Sequence, residues 1–408
     1  MFRSLHHRNY RLFFSGQLVS LCGTWMQNVA QSWLVWQLSH SAFWLGVVGF
    51  MTFVPQLLFS LIGGTVADRF PKRNTIIATQ TISMLLAFIL AALVWTNVVT
   101  VGWVCFMAFC LGTVNSFDMP ARQAFVVEMV GKEDLTNAIA LNSAIFNSAR
   151  LIGPALGGIV IGVVGTAWCF FLNGVSFIAV IAGLFAMRLP PAQIHHMGQS
   201  VLRSAREGYS FIRTEPVIRS VMIMVAVLTV FGWSYSVLLP LFADDVLHVG
   251  AIGLGNLYSA NGIGALASAL FIATTGDKLD MKTSMFRSVA IFLAGVCIFA
   301  LSHWVWLSMA SLVLIGMGLI SFFAMANSTM QMRSPDHLRG RVMGIYAIVF
   351  GGFYPFGSLE VGTCAHLIGA TNIILINAIL CGATAFYIWR NMRKAVTPPT
   401  PDTTLTAV

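Results

Sequence analysis

The sequence predicts an all-α membrane protein of twelve transmembrane helices, set out as two six-helix halves that repeat one another. Composition, the spacing of apolar runs and the placement of positive charge each point there. Hydrophobic residues make up 57% of the 408 and charged residues 9%, with a mean hydropathy of +0.82; a soluble chain is about a quarter charged. A bilayer core about 30 Å thick takes about 20 apolar residues per helical span, so the length suits roughly a dozen spans and leaves no room for a large soluble domain.

Apolar runs set against polar breaks place the spans at 13–37, 42–66, 74–96, 100–118, 137–163, 167–188, 217–242, 251–275, 284–302, 304–330, 341–364 and 369–390. The flanks support each element in turn. Arg3, Arg8 and Arg11 precede span 1, Arg69, Lys72 and Arg73 part spans 2 and 3, and Arg122 and Lys132 part spans 4 and 5. Arg188, Arg203, Arg206, Arg213 and Arg219 lie in or beside the longest connection, 189–216, which divides the chain into a first half, 1–188, and a second, 217–408. Lys278, Lys282 and Arg287 fall between spans 8 and 9, Arg333, Arg339 and Arg341 between 10 and 11, and Arg390, Arg393 and Lys394 after span 12. An even count of spans puts all of these on one side, 22 of the 23 Lys and Arg residues, while the loops on the other side carry none. By the positive-inside rule that side is cytoplasmic and holds both termini. The net charge of +9 is thus a topology signal and excludes a nucleic-acid footprint.

The seven cysteines all fall in apolar segments, with no C-x-x-C pair and no His at ligand spacing, so neither a disulfide frame nor a metal site is expected. The basic start lacks a small-residue cleavage site, so the first span is expected to stay. The single Gly-Lys, Gly131-Lys132, is followed by Glu and is no phosphate-binding loop, and H-E-x-x-H and G-x-S-x-G are absent. No cofactor and no enzymatic activity is expected.

The twenty-third cation is Arg150, thirteen residues into span 5, about 20 Å from the basic end and near mid-membrane. An arginine there costs roughly 3 kcal/mol and persists when it faces a wet cavity or a partner. It either receives the negative or polar part of a cargo, or forms a structural ion pair or carbonyl contact. Among carboxylates, Glu360 lies nineteen residues into span 11 and is the proton-coupling candidate; a neutral hydrogen-bonded acid is the alternative. Asp118 ends span 4 beside Pro120 and Arg122, as a gate or capping residue, and Asp244 and Asp245 end span 7 as solvated groups. In span 1, Gln17, Ser20, Thr24, Asn28 and Gln31 recur every three or four residues on one face, which must point inward. Trp25, Trp33 and Trp36 interleave as cargo contacts or interfacial anchors. Asn142, Asn147 and Asn173 add hydrogen bonds to cargo or between helices, with Asn256 and Asn261 as secondary candidates in span 8.

Faint repetition links the halves: Leu45-Gly46 recurs at Leu254-Gly255 and Asp68 at Asp277, each 209 positions on, and "EDLTNA" before span 5 parallels "DHLRGR" before span 11. The loop "GGTVADRFPKR" resembles the signature loop of the major facilitator superfamily, matched at Gly64, Asp68, Arg69, Lys72 and Arg73, with Pro71 in place of a second glycine. "ARLIGPALGG" resembles the span 5 motif of antiporter-type facilitators, matched at Gly153, Pro154, Gly157 and Gly158, with Ala149 where glycine is common. Together with "RNYRLFFSGQLVSLCGTWMQNVAQSWLV" and "DMPARQAFVVEMV", these make the whole chain similar to the drug and siderophore exporter branch of that superfamily, enterobactin-exporter-like and macrolide-efflux-like.

The resemblance implies the major facilitator fold, with Asp68 gating the cytoplasmic mouth by docking on the N-terminal end of span 11 and a span 5 that packs closely on span 8. It implies a monomer in the bacterial inner (plasma) membrane that exports a small amphipathic molecule, drug or siderophore-like, by alternating access in exchange for protons. The alternatives are an uncoupled facilitator, a lipid or metabolite transporter, or a scaffold that has lost transport.

Overall fold

Helix follows apolar length along almost the whole chain. The computed structural model describes residues 3–131, 133–188, 201–275 and 280–394, and every regular element among them is helical. Twelve helices run back and forth: α1 Arg8–Ser39, α2 Ala42–Arg69, α3 Lys72–Trp95, α4 Val101–Val130, α5 Leu135–Val164, α6 Thr166–Ala186, α7 Pro216–Val246, α8 Gly250–Thr275, α9 Met281–Leu301, α10 Val305–Arg333, α11 Asp336–Ile368 and α12 Ala370–Lys394. Among the described residues, eleven helices are long and apolar enough to cross a membrane. The twelfth, α1, has the length at 32 residues, and its polar stripe dilutes the apolar average. The expected architecture is therefore the observed one. Lys132, Asp277, Lys278 and residues 189–200 lie outside the described residues, so the Asp68–Asp277 repeat is seen only at its first member.

Two boundaries differ from expectation for a physical reason. Span 4 does not end at Asp118: α4 runs on through Pro120 to Val130. Asp118 and Arg122 sit one turn apart and pair, which neutralises both charges inside the helix. Asp118 is consequently a buried mid-helix group, not a cap. The 189–216 connection is also not all loop, because Val201–Thr214 forms a connecting helix. It rests on α11, with Glu207 paired to Arg341, Ile212 buried, and Gly208 within reach of Arg341 and Ile345. Glu215 then caps Ile218 N–H at 2.7 Å ahead of Pro216, which starts α7.

The helix contacts repeat between halves. α1 packs on α5 and α6, α2 on α4, and α3 on α4 and α6; in the second half α8 packs on α10, and α9 on α10 and α12. The halves meet along two seams, α5 against α8 and α2 against α11, which exchange under the repeat. Gly165 (φ 96°) and Gly369 (φ 91°) occupy matching one-residue links, α5 to α6 and α11 to α12, in a conformation that any side chain would strain. Small residues make both seams: a Cβ on Gly158 would lie 2.8 Å from the Ala251 carbonyl, and one on Gly46 would lie 2.5 Å from the Ser358 carbonyl. Membrane helices associate through this kind of close approach.

The arginine-bearing ends of the first half are laced together. His7 Nε2 and Asp134 are 2.9 Å apart, Ser4 N–H donates to Asn137 at 3.0 Å, and Lys72 pairs with Glu128 at 2.6 Å. The His7 hydrogen bond, with Arg3 and the two histidines nearby, holds the Asp134 carboxyl below the usual carboxylate range. What it adds to stability is therefore present above that range and lost only as pH falls through the lowered value.

Candidate functional site

Pro154 lacks an N–H, so the carbonyl of Arg150, four residues earlier, loses its helical partner. The neighbouring helix presses in at this turn. A Cβ on Gly262 would sit 3.0 Å from the Arg150 carbonyl, and Ser259 Oγ donates to the Leu151 carbonyl at 2.7 Å. α8 thus packs closely on α5 at this turn, and Arg150 is carried to the seam at mid-length of the 30-residue helix.

Its side chain crosses to the other half. Arg150 is 9% exposed, and its Nη2 donates to Asn261 Oδ1 at 2.8 Å. Asn261 is held by two further bonds, donating to Tyr235 Oη at 2.8 Å and to the Leu312 carbonyl at 3.3 Å. On its own side the guanidinium lies over the Trp25 ring at 5.8 Å, and Trp25 abuts Phe146 edge-on. Among the described residues no carboxylate pairs with Arg150. Of its five N–H donors one is used among the described residues, on Asn261. Glu360 is not its partner: it accepts from Asn377 Nδ2 at 3.2 Å, toward α12.

The partners from the second half come from irregular backbone. Between Leu228 and Leu238, α7 passes through a π-type turn and a 3-10 turn, and α11 is interrupted at Phe353. Non-α backbone at membrane depth occurs where it is enclosed by protein or lines a cavity. Here it presents Tyr235, Ser236 and Tyr354: Tyr258 Oη donates to the Ser236 carbonyl at 3.2 Å, and the Ser236 and Tyr354 hydroxyls are 3.2 Å apart. Trp233 stands against Phe323 and Phe350, both at 5.5 Å, and Phe53 of α2 meets Tyr354 at 4.7 Å. The mid-membrane centre therefore joins one cation from the first half to an aromatic, hydroxyl-bearing wall from the second.

The stripe on α1 divides. Gln17 is buried and accepts from Arg122, which also binds Asp118, while Thr79 Oγ1 and Gln80 Nε2 donate to Asp118 at 2.7 and 3.1 Å. That network ties α1, α3 and α4 and does not reach the seam. Asn28 is exposed and lies one turn from both Trp25 and Ser32, which touch Arg150 and Tyr258. Thr24 donates to the Ser20 carbonyl and Asn147 to the Ser143 carbonyl, and Gln31 is half-buried. Asn173 donates to Gln27 at 2.7 Å and Asn142 accepts from Tyr10, both joining helices. Tyr235, Tyr258 and Tyr354 escaped sequence reasoning; all three lie within apolar spans, and serine beside Tyr235 and Tyr258 was the available signal.

The span 5 motif serves two neighbours. Gly158 faces α8, as expected, but Gly153 and Gly157 face α1 at Cys22, Trp25 and Met26. The two ends of the bundle differ. Away from the arginines the halves are pressed together: Gly158 meets α8, a Cβ on Gly362 would lie 2.7 Å from Gly46, and Trp36 Nε1 donates to Asp244 Oδ2 at 2.8 Å. Asp244 is thus a latch partner, not a free solvated group. At the basic end a Cβ on Gly64, Gly340 or Gly344 would meet nothing within 4 Å, and Asp68 is exposed with no partner among the described residues. Lys72 and Arg73 of the signature loop bind within the first half, to Glu128 and the Phe185 carbonyl, while Arg69 is exposed. The tightest contacts between the halves therefore lie at the end away from the arginines.

Trp36→Phe removes the latch donor, worth about 1.5–3 kcal/mol to a charged acceptor. The closed end is expected to open roughly tenfold more often. In a cysteine-free background, a cysteine at position 28 should then react faster with an impermeant maleimide supplied from the far face. An unchanged rate would remove the latch.

A family profile described as transmembrane secretion effector matches residues 1–397. The staphyloferrin A transporter of Staphylococcus aureus is 26% identical over 388 residues, 92% of this chain and 95% of that one. The multidrug efflux pump Tap of Mycolicibacterium fortuitum is 26% identical over 391 residues, 93% and 95% of the two chains. The enterobactin exporter EntS of Citrobacter koseri is 22% identical over 426 residues, 97% and 95%. Among solved structures, the nucleoside transporter NupG superposes with TM-score 0.71 at 13% identity, over 96% of this chain and 100% of that one. A bacterial homologue of the human lysosomal transporter Spinster, inward-facing and unoccupied, gives 0.72 at 12%, over 97% and 99%. These two likenesses speak to fold alone.

Proposed function

Since the chain belongs to the transmembrane secretion effector family and is a membrane transporter of the major facilitator superfamily, we propose that it exports a small amphipathic molecule by alternating access, in exchange for protons. The observation that carries this reading is the unequal packing of the two ends around Arg150. With the basic face in the cytoplasm, as the charge asymmetry supports, the looser packing at that end suits a state that would load cargo from inside. Arg150, Trp25 and Asn28 receive the polar part of the cargo, and Trp233 and Tyr354 its apolar part. Export also agrees with what the relatives are named for, siderophore and drug efflux.

Alternating access then requires the basic end to close. Asp68 would dock on the first turn of α11, and Gly64, Gly340 and Gly344 leave room for that approach. A helix N-terminus favours an anion there. Glu360, facing Asn377, is the carboxylate assigned to proton exchange.

Proteoliposomes holding the purified protein test the reading, with siderophores and cationic amphipathic drugs offered in turn while internal pH is followed. Cargo-triggered proton flux that Glu360→Gln abolishes, with cargo movement retained, is the expected result. Cargo that equilibrates without proton movement would leave an uncoupled facilitator, and flux unchanged in Glu360→Gln would remove that residue from the mechanism.

A further inference from the structure

At the basic face of the first half lies a cup of about 280 Å³, lined by His7, Arg8, Asn9, Met129 and Arg188. Its wall comes from three helix ends at one level: the start of α1, the last turn of α4 and the residues just past α6. No carboxylate lines it. Asp134, bound to the lining His7, is also engaged by Arg3 at 3.6 Å, and Glu128, next to the lining Met129, is paired with Lys72.

The cup is built and fixed by its own bonds. Asn9 Nδ2 donates to the Arg188 carbonyl at 2.8 Å and its Oδ1 accepts from Arg188 N–H at 3.2 Å, which clamps the end of α6 to α1. Arg8 donates to the Ala186 carbonyl and Arg73 to the Phe185 carbonyl, each at 3.2 Å, and Arg73 keeps a buried Nε with no partner. Three arginines thus converge on one helix end. Arg8 spends one N–H on it, and the Arg188 side chain spends none on the described residues. Guanidinium groups with N–H donors to spare and no carboxylate paired with them among the described residues are suited to the paired oxygens of a phosphate.

We propose that this cup binds the phosphate of an anionic phospholipid headgroup. Helix ends of a spanning bundle lie at headgroup depth, where basic pockets between helices attract anionic lipid. The outward face of α6 favours a lipid over free phosphate: Phe185, Ile178 and Val175 are 63%, 49% and 41% exposed and lead from the cup toward the hydrocarbon. A lipid held there would fasten the ends of α1, α4 and α6 independently of any cargo.

The test is native mass spectrometry and thermal unfolding of the full-length protein in detergent, with phosphatidylglycerol, phosphatidylcholine or inorganic phosphate added. Phosphatidylglycerol alone should be retained and should raise the midpoint by several degrees. Arg8→Gln with Arg188→Gln should lower retention about tenfold, and Lys at both sites should restore part of it. Arg219→Gln, on the same face in the other half, should change nothing. If the double variant fails to fold, Arg188→Gln alone carries the test, since it breaks no side-chain hydrogen bond among the described residues. Undiminished phosphatidylglycerol retention in the Gln variants overturns the site, and an equal shift with inorganic phosphate overturns the lipid as its occupant. Failure of transport in the liposome assay would leave both results standing.

Discussion

Arg150→Ala is expected to reduce cargo transport by about tenfold to a hundredfold while the protein stays folded in the membrane. The size follows from what the guanidinium offers, a charge with one N–H bound to Asn261 and no carboxylate counterpart among the described residues. A charge-assisted hydrogen bond contributes about 1.5–3 kcal/mol, and every 1.4 kcal/mol is tenfold in affinity. The fold should survive because Asn261 keeps its bonds to Tyr235 and Leu312, and because Ser259 and Gly262 hold α5 through its backbone. Arg150→Lys separates charge from geometry: it keeps the cation but loses the planar fork, so partial transport is expected. Cargo uptake into inverted vesicles, beside a thermal midpoint for each variant, measures both. Full transport in Arg150→Ala would mean that the Asn261 contact is a structural bridge between halves and that cargo binds elsewhere.

That Arg150 is singular was legible in the sequence, because 22 of 23 cations obey the charge asymmetry and one does not. Its partners were not. Asn261 stood as a secondary candidate, and Tyr235 showed only a serine-flanked tyrosine in an apolar span, because its position is set by a stretch of α7 that leaves α-helical geometry between Leu228 and Leu238. Apolar periodicity records length and burial, and it is blind to a change from α-helical to wider π-type or tighter 3-10 turns inside an apolar run. The Asp118 boundary failed for a related reason: Pro120 and two charges look like a helix end, and only their pairing at one-turn spacing shows that they are internal. On α1 the stripe is buried at Gln17 and Ser20 and exposed at Asn28, and period alone could not separate Gln17, bound to Arg122, from Asn28 one turn from Trp25.

Gly255→Leu should block transport from one side and Gly344→Leu from the other. A Cβ on Gly255 would lie 2.4 Å from the Pro154 carbonyl and 3.0 Å from Gly158 Cα, so backbone would have to move apart at the sealed end. Overpacking of this kind costs about 1–3 kcal/mol, concentrated in the state that keeps the far face shut. The variant should leak protons, populate a far-side-open form and lose the Trp36–Asp244 latch. Gly344, in contrast, has nothing within 4 Å, so leucine there is accommodated in the structure described and costs little stability. Its penalty falls on the opposite state, in which the first half must close over α11. Gly344→Leu should therefore trap the basic-face-open form, with near-normal thermal midpoint, cargo binding intact and transport lost. Spin labels on α2 and α11 at each end would report the two traps as opposite distance changes. The same trap from both variants, or ordinary transport in Gly344→Leu, would break the link between unequal packing of the two ends and alternating access.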